Sequence, residues 1–188
     1  GKTVGLLGMG AVGKSVAAIL TAFGANVMVH DPFLKQEQAA QLGVSLVDLD
    51  TLYGQSDILS LHVPLTNQTA GMIGTDAFAR MKNGMVLVNA ARGGIVDEAA
   101  LLAALDSGKI RAAGIDVFQR EPVLPDSVSA KLVAHAKVVA TPHLGASTAE
   151  SQEKAAIMAC ENLVAALEGK QVRVVNPEVR KVRAVAGA

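Results

Sequence analysis

Tryptophan is absent, aromatic residues make up only 3% of the chain, and a single cysteine stands at position 160. A core without large rings must be filled by Ala, Val, Leu and Ile, which suits a parallel sheet buried on both faces. One cysteine excludes an internal disulfide. Cys160 falls in an apolar helical pattern, so buried packing rather than reactivity is expected of it. Net charge is missing as well. Seventeen basic and seventeen acidic side chains cancel, which removes the general electrostatic case for nucleic acid or an anionic membrane as a partner. No run approaches the ~20 apolar residues of a membrane span, and no signal peptide is expected. A reducing cytoplasm is the expected compartment, and no metal site is expected. What is present is an apolar half of 188 residues, enough for one domain with a sizeable core. Gly1-Lys2-Thr3 leads into the first strand almost immediately and without Met, which looks like a piece of something longer.

The chain is organised around Val4 to Gly13, where an apolar run meets glycines spaced G-x-G-x-x-G before a helix-forming stretch, Lys14 to Phe23. Gly8 would supply the turn, Gly10 would let a diphosphate approach the main chain, and Gly13 would let the helix pack close to the strand. The helix N-terminus then offers unpaired N–H groups to an anion. Gly8, Gly13, Lys14 and Ser15 also satisfy the phosphate loop of nucleoside triphosphatases, G-x-x-x-x-G-K-S. Asp31 favours the dinucleotide reading. It ends the second apolar run, Asn26 to His30, eighteen positions beyond Gly13, where an acid can accept hydrogen bonds from an adenosine ribose.

Beyond Asp31 a polar helix is expected from Lys35 to Leu42 and a short strand from Val44 to Val47, with Asp48 capping a brief helix to Tyr53. Strands are expected at Asp57 to Val63, Met85 to Asn89, Ala112 to Val117 and Val138 to Thr141. Helices are expected at Thr75 to Met81, at Glu98 to Ser107 behind an Asp97 cap, and at Thr148 to Leu167. A proline-bearing loop spans Glu121 to Pro125. The basic remainder from Lys170 has little pattern beyond Gln171 to Val175. Alternating strands and helices predict an α/β fold with a doubly wound parallel sheet.

Ligands of such sheets bind at the carboxyl ends of the strands. The residues expected there are Gly8 to Gly13, Asp31, Pro64, Arg92, Asp116, Glu121 a little further on, and His143. A base, two acids and an arginine beside a dinucleotide are the parts of a hydride-transfer site. Oxidising an alcohol requires removal of its proton as hydride leaves, a task suited to His143. Glu121 beside it would hold the tautomer, and Arg92 would bind a substrate carboxylate through two hydrogen bonds. Asp116 is placed for the nicotinamide carboxamide. Each has a plainer reading, as loop residue, surface charge or turn, and their coincidence at strand ends favours function for the set. His62 is expected to line the cofactor pocket and His135 to lie at the surface. His30 joins no comparable constellation.

The runs 89–98 (NAARGGIVDE), 116–122 (DVFQREP) and 141–148 (TPHLGAST) resemble the D-isomer-specific 2-hydroxyacid dehydrogenases, nearest to their 3-phosphoglycerate branch. The resemblance covers Gly1 to about Pro177. It implies an NAD-binding Rossmann domain over 1–176, with 177–188 as a tail and the family's substrate-binding lobe absent. It also implies a catalytic set of Arg92, Glu121 and His143, pyrophosphate contacts at Ala11 and Val12, and ribose binding by Asp31. His62, Val63, Pro64, Thr69, Ala90, Asp116 and Ala146 would complete the NAD pocket. The implied partners are a small 2-hydroxyacid or 2-oxoacid and a second copy of the chain, with little turnover expected from this piece alone. Relatives acting on glycerate, glyoxylate or lactate, and NAD(H)-sensing dimeric corepressors, share the same residues. Formate dehydrogenases place Gln where Glu121 stands.

Overall fold

The computed structural model describes residues 1–170. They belong to two compact units, Gly1–Gly145 and a second that begins at Ala146. The expected boundary at 176, the tail 177–188 and the pattern from Gln171 to Val175 lie outside the described residues.

The first unit is built on β1 (Thr3–Leu7), β2 (Asn26–His30), β3 (Ser45–Leu46), β4 (Ile58–Leu61), β5 (Met85–Asn89), β6 (Ile110–Ile115) and β7 (Val138–Ala140). They form one sheet in the order β3-β2-β1-β4-β5-β6-β7, parallel at every pairing. Between them run α1 (Ala11–Ala22), α2 (Gln36–Gln41), α3 (Leu49–Gln55), α4 (Thr75–Arg80), α5 (Glu98–Asp106) and α6 (Val128–Val133). The strand order reverses between β1 and β4, so the loops leaving these neighbours diverge and open a crevice at their carboxyl ends.

Aliphatic side chains fill both faces, as the scarcity of aromatics requires. Leu6, Val29, Leu59, Leu61 and Leu87 are fully buried. Helix starts are set by short polar side chains: Asp48, Asp97 and Ser127 accept the N–H groups of Thr51, Ala100 and Ala130, each cap contributing about 1 kcal/mol.

Several boundaries differ from the sequence reading. α1 begins at Ala11 rather than Lys14, because Gly10 itself is the N-cap. β4 stops at Leu61, leaving His62 and Val63 in the loop. β6 starts two residues early: Ile110 is buried and Arg111 faces solvent, so the charge marks an outward position, not a boundary. α6 was not expected. In the second unit, α7 (Ala149–Leu167) starts behind Thr148, whose hydroxyl accepts the Ser151 N–H. No α7 residue is buried, and Cys160 is exposed. This corrects the buried packing expected of it, since an apolar pattern requires a covering surface before it buries anything.

Asp57 fastens the amino-terminal edge of the sheet. Its carboxylate accepts the Lys82 ammonium at 2.6 Å and the Thr3 N–H at 3.0 Å. Lys82 first, then the Thr3 N–H, hold this carboxyl down at about 2. A lowered native pKa stabilises the fold above the unfolded value of about 3.9, and that contribution is lost as pH falls toward 2. Urea midpoints at pH 5 and pH 2.5 should therefore fall further for the wild type than for Asp57→Asn. Parallel losses would remove this role.

Candidate active site

Gly8 has φ +99°, and a Cβ there would lie 2.9 Å from the His62 carbonyl. A Cβ on Gly13 would come within 2.5 Å of the Gly8 oxygen. These two glycines let β1, the β4 exit and α1 converge. Gly10 differs, because a Cβ there meets nothing within 4 Å and no side chain caps α1. The first N–H groups of α1, at Ala11 and Val12, have no acceptor within the helix, which fits a diphosphate drawn to its terminus. Ala11 and Val12 are exposed, while Gly13 is buried.

Asp31 closes the loop from the other side. One carboxylate oxygen accepts the Met9 N–H at 2.7 Å and the other the Phe33 N–H at 2.8 Å. About half its lone-pair directions remain for ribose hydroxyls. Beyond β4, His62 is half-buried with Nε2 3.0 Å from the Ser60 hydroxyl, and burial pushes its imidazole pKa down. Val63 abuts the Gly8 turn. Thr69 donates its hydroxyl to the Pro64 carbonyl at 2.6 Å, which folds that loop back on itself. Ala90 is exposed at the end of β5. Ala146 belongs to the second unit.

The acid–base candidates follow β5, β6 and β7. Buried Asn89 accepts the Ala91 N–H and donates to the Arg92 carbonyl, fixing the Arg92 loop. The guanidinium itself donates to the Ala91 carbonyl at 2.6 Å. This loop backs onto the next one, since a Cβ on Gly93 would lie 1.8 Å from the Phe118 oxygen. Glu121 accepts the Phe118 N–H at 2.9 Å through one oxygen and meets His143 Nδ1 at 2.7 Å through the other. The His143 contact first, then the Phe118 N–H, holds the Glu121 carboxyl below its ordinary value. The ring's bond to Glu121 is made through Nδ1, and no hydrogen bond to Nε2 exists among the described residues.

His143 has φ +56°, a left-handed conformation that L residues other than Asn, Asp and His rarely adopt. Asp116 supports it. Its carbonyl accepts the His143 N–H at 2.9 Å, and its buried carboxylate accepts the Thr141 hydroxyl and the N–H groups of Leu144 and Gly145. Burial alone would raise this carboxyl, but those bonds outweigh it and hold the group below its usual range. At most about one lone-pair direction remains for a carboxamide. A cavity of about 430 Å³ opens beside the pair, walled by apolar groups of Phe118, Pro122, Val123, Val133, Ala140 and Pro142.

Residues 1–145 match the family model described as D-isomer specific 2-hydroxyacid dehydrogenase, NAD binding domain. The chain belongs to this family. Across 92% of its length it is 48% identical to a D-3-phosphoglycerate dehydrogenase of Archaeoglobus fulgidus, covering 32% of that protein. Over 87% it is 47% identical to a hydroxypyruvate reductase of Thermotoga maritima, covering 52% of it. It therefore spans a third to a half of the length of these relatives. Among solved structures, D-lactate dehydrogenase with NAD+ from Lactobacillus jensenii matches with a TM-score of 0.84 and 36% identity, over 93% of this chain and 55% of that one. NAD is the dinucleotide of this family domain.

What the sequence reading missed is the supporting set. Asn89, Glu98 and Thr141 hold the loops that carry the candidates, and no spacing rule marks them. No described helix is long and apolar enough to cross a membrane.

Proposed function

We propose that this chain is the cofactor half of an enzyme moving a hydride between NAD and C2 of a D-2-hydroxyacid, with 3-phosphoglycerate as substrate. The observation that carries the chemistry is the 2.7 Å contact between His143 Nδ1 and Glu121. Glu121 fixes the Nδ1–H tautomer, so Nε2 takes the hydroxyl proton as the C–H bond breaks, and Glu121 stabilises the imidazolium that forms. Arg92 turns its free N–H groups to the substrate carboxylate, where a planar fork sets the orientation. Bound NAD supplies the hydride acceptor. The high identity to phosphoglycerate dehydrogenases supports the choice of substrate, and the proposed compartment is the cytoplasm.

Asp31 gives the reading its test. Met9 and Phe33 hold its carboxylate toward the ribose position, where a 2′-phosphate would meet like charge. Calorimetric titration should show NAD+ binding and NADP+ binding at least about tenfold weaker. Equal affinities would overturn the cofactor assignment. With the complete protein, absence of NADH formation from 3-phosphoglycerate would overturn the substrate.

The functional unit is a homodimer in this proposal. Ile157, Met158, Leu163, Val164 and Leu167 of α7 are all exposed large apolar side chains, more than a solvated helix needs. Light scattering should give twice the chain mass at micromolar concentration, and a monomer there would remove the idea.

A further inference from the structure

We infer that Glu98 is a positioning residue for the acid–base pair, gripping from α5 the turn that presents Glu121. The inference rests on the reading of Glu121 and His143 given above and adds a residue to it. One Glu98 oxygen accepts the Gln119 N–H at 2.6 Å, and the other accepts the Ser129 hydroxyl at 2.5 Å. These partners are 21 and 31 residues away in sequence. Gln119 lies in the turn between buried Phe118 and Glu121. Ser129 is a buried residue of α6, the helix that leads into β7 and so to His143. A single carboxylate therefore ties the segment bearing one partner to the segment preceding the other.

An acid in the first turn of a helix often serves the helix itself, through its dipole or as a cap. Here the cap is Asp97, which takes the Ala100 N–H, and both Glu98 oxygens are turned away to other elements. Gln119 N–H has no backbone acceptor among the described residues. Without Glu98 this donor would have to turn to water, which the adjoining Phe118 N–H bond to Glu121 resists. The same α5 segment follows directly from the Arg92 loop, so Glu98 also keeps that loop and the Glu121 turn in register where Gly93 meets Phe118.

The carboxyl of Glu121 reports on the grip, because it is held low by His143 and by the Phe118 N–H. Its titration can be followed by carboxyl carbon NMR in this chain, with no substrate or cofactor. In Glu98→Ala the turn loosens, and the Glu121 midpoint should rise by on the order of half a pH unit. In Glu98→Gln it should stay at the wild-type value, since the amide oxygen still accepts from Gln119 and the amide N–H can donate to the Ser129 hydroxyl. A change that merely destabilised α5 would lower the denaturation midpoint of Glu98→Ala without moving the Glu121 titration. An unmoved titration in Glu98→Ala overturns the inference. Should that variant fail to fold, Glu98→Asp, too short to reach both partners, must show the same rise, and an unmoved midpoint there is equally fatal. His143→Gln separates the two levels. If Glu121 fails to rise in that variant, the pair itself is absent and the functional reading falls with it. If it rises there but not in Glu98→Ala, only the role of Glu98 is lost.

Discussion

Gly93→Ala should cost about 4 kcal/mol or more, a large part of the ~5–15 kcal/mol that holds a typical domain together. The added methyl would lie 1.8 Å from the Phe118 oxygen and 2.4 Å from its carbonyl carbon. Those are backbone atoms and cannot rotate away. Either the Arg92 loop or the Phe118–Glu121 turn must retreat, and Phe118 is anchored by burial. Gly94→Ala provides the contrast one residue later. Gly94 sits at φ +81°, but its Cβ would meet only the flexible end of Leu65, at 3.6 Å. The cost there is the left-handed backbone penalty, about 1–2 kcal/mol. Chemical denaturation of both variants checks the pair. Equal losses would mean that the loops are not in close contact at Gly93.

Asp116→Asn should lose about 1–2 kcal/mol and loosen the loop bearing His143. The Asn oxygen can keep the Thr141 and Leu144 donors, but its NH2 group would then face the Gly145 N–H, donor against donor. Asp116→Ala orphans all three donors and should cost more, about 2–4 kcal/mol, discounted because Leu144 and Gly145 lie where water can reach them. Amide exchange at Leu144 and Gly145 should accelerate in both variants, and unchanged protection would sink the assignment. The acid dependence has a definite sign. A carboxyl held below its ordinary value stabilises the native state above pH about 4, and that support fades as pH falls through the lowered native value.

The frame of this molecule was legible because its signals are local. Asp31 could be placed by counting from Gly13, and the Asp48 and Asp97 caps fall where short polar side chains precede helical patterns. The glycine run marked a strand–turn–helix junction that the structure contains, and the alternation of elements led directly to a parallel sheet. α6 escaped because six residues carry too little periodicity, although Ser127 three positions before Ala130 was a usable cue. Arg111 hid the start of β6 because a single charge in a strand can face solvent. Cys160 was misjudged because periodicity shows which face is apolar, not what lies against it. The supports of the candidate site were illegible for another reason. Glu98 finds Gln119 and Ser129, and Asp116 finds Thr141, Leu144 and Gly145, across 21 to 31 residues of chain. Only the order of strands in the sheet brings them together.

Among the described residues, every hydrogen bond that fixes the Glu121–His143 pair closes within Gly1–Gly145. In evolutionary terms the proposed acid–base pair sits in a self-contained block. Under the proposed function, segments outside this block could differ, and with them the molecule acted on, while the histidine, its carboxylate and the loops that aim them stay as they are. Proteins named for phosphoglycerate, hydroxypyruvate, glyoxylate and D-lactate all match this chain over at least 87% of its length. Change within the block, by contrast, has to respect side chains as remote from the pair as Asn89, which holds the Arg92 loop.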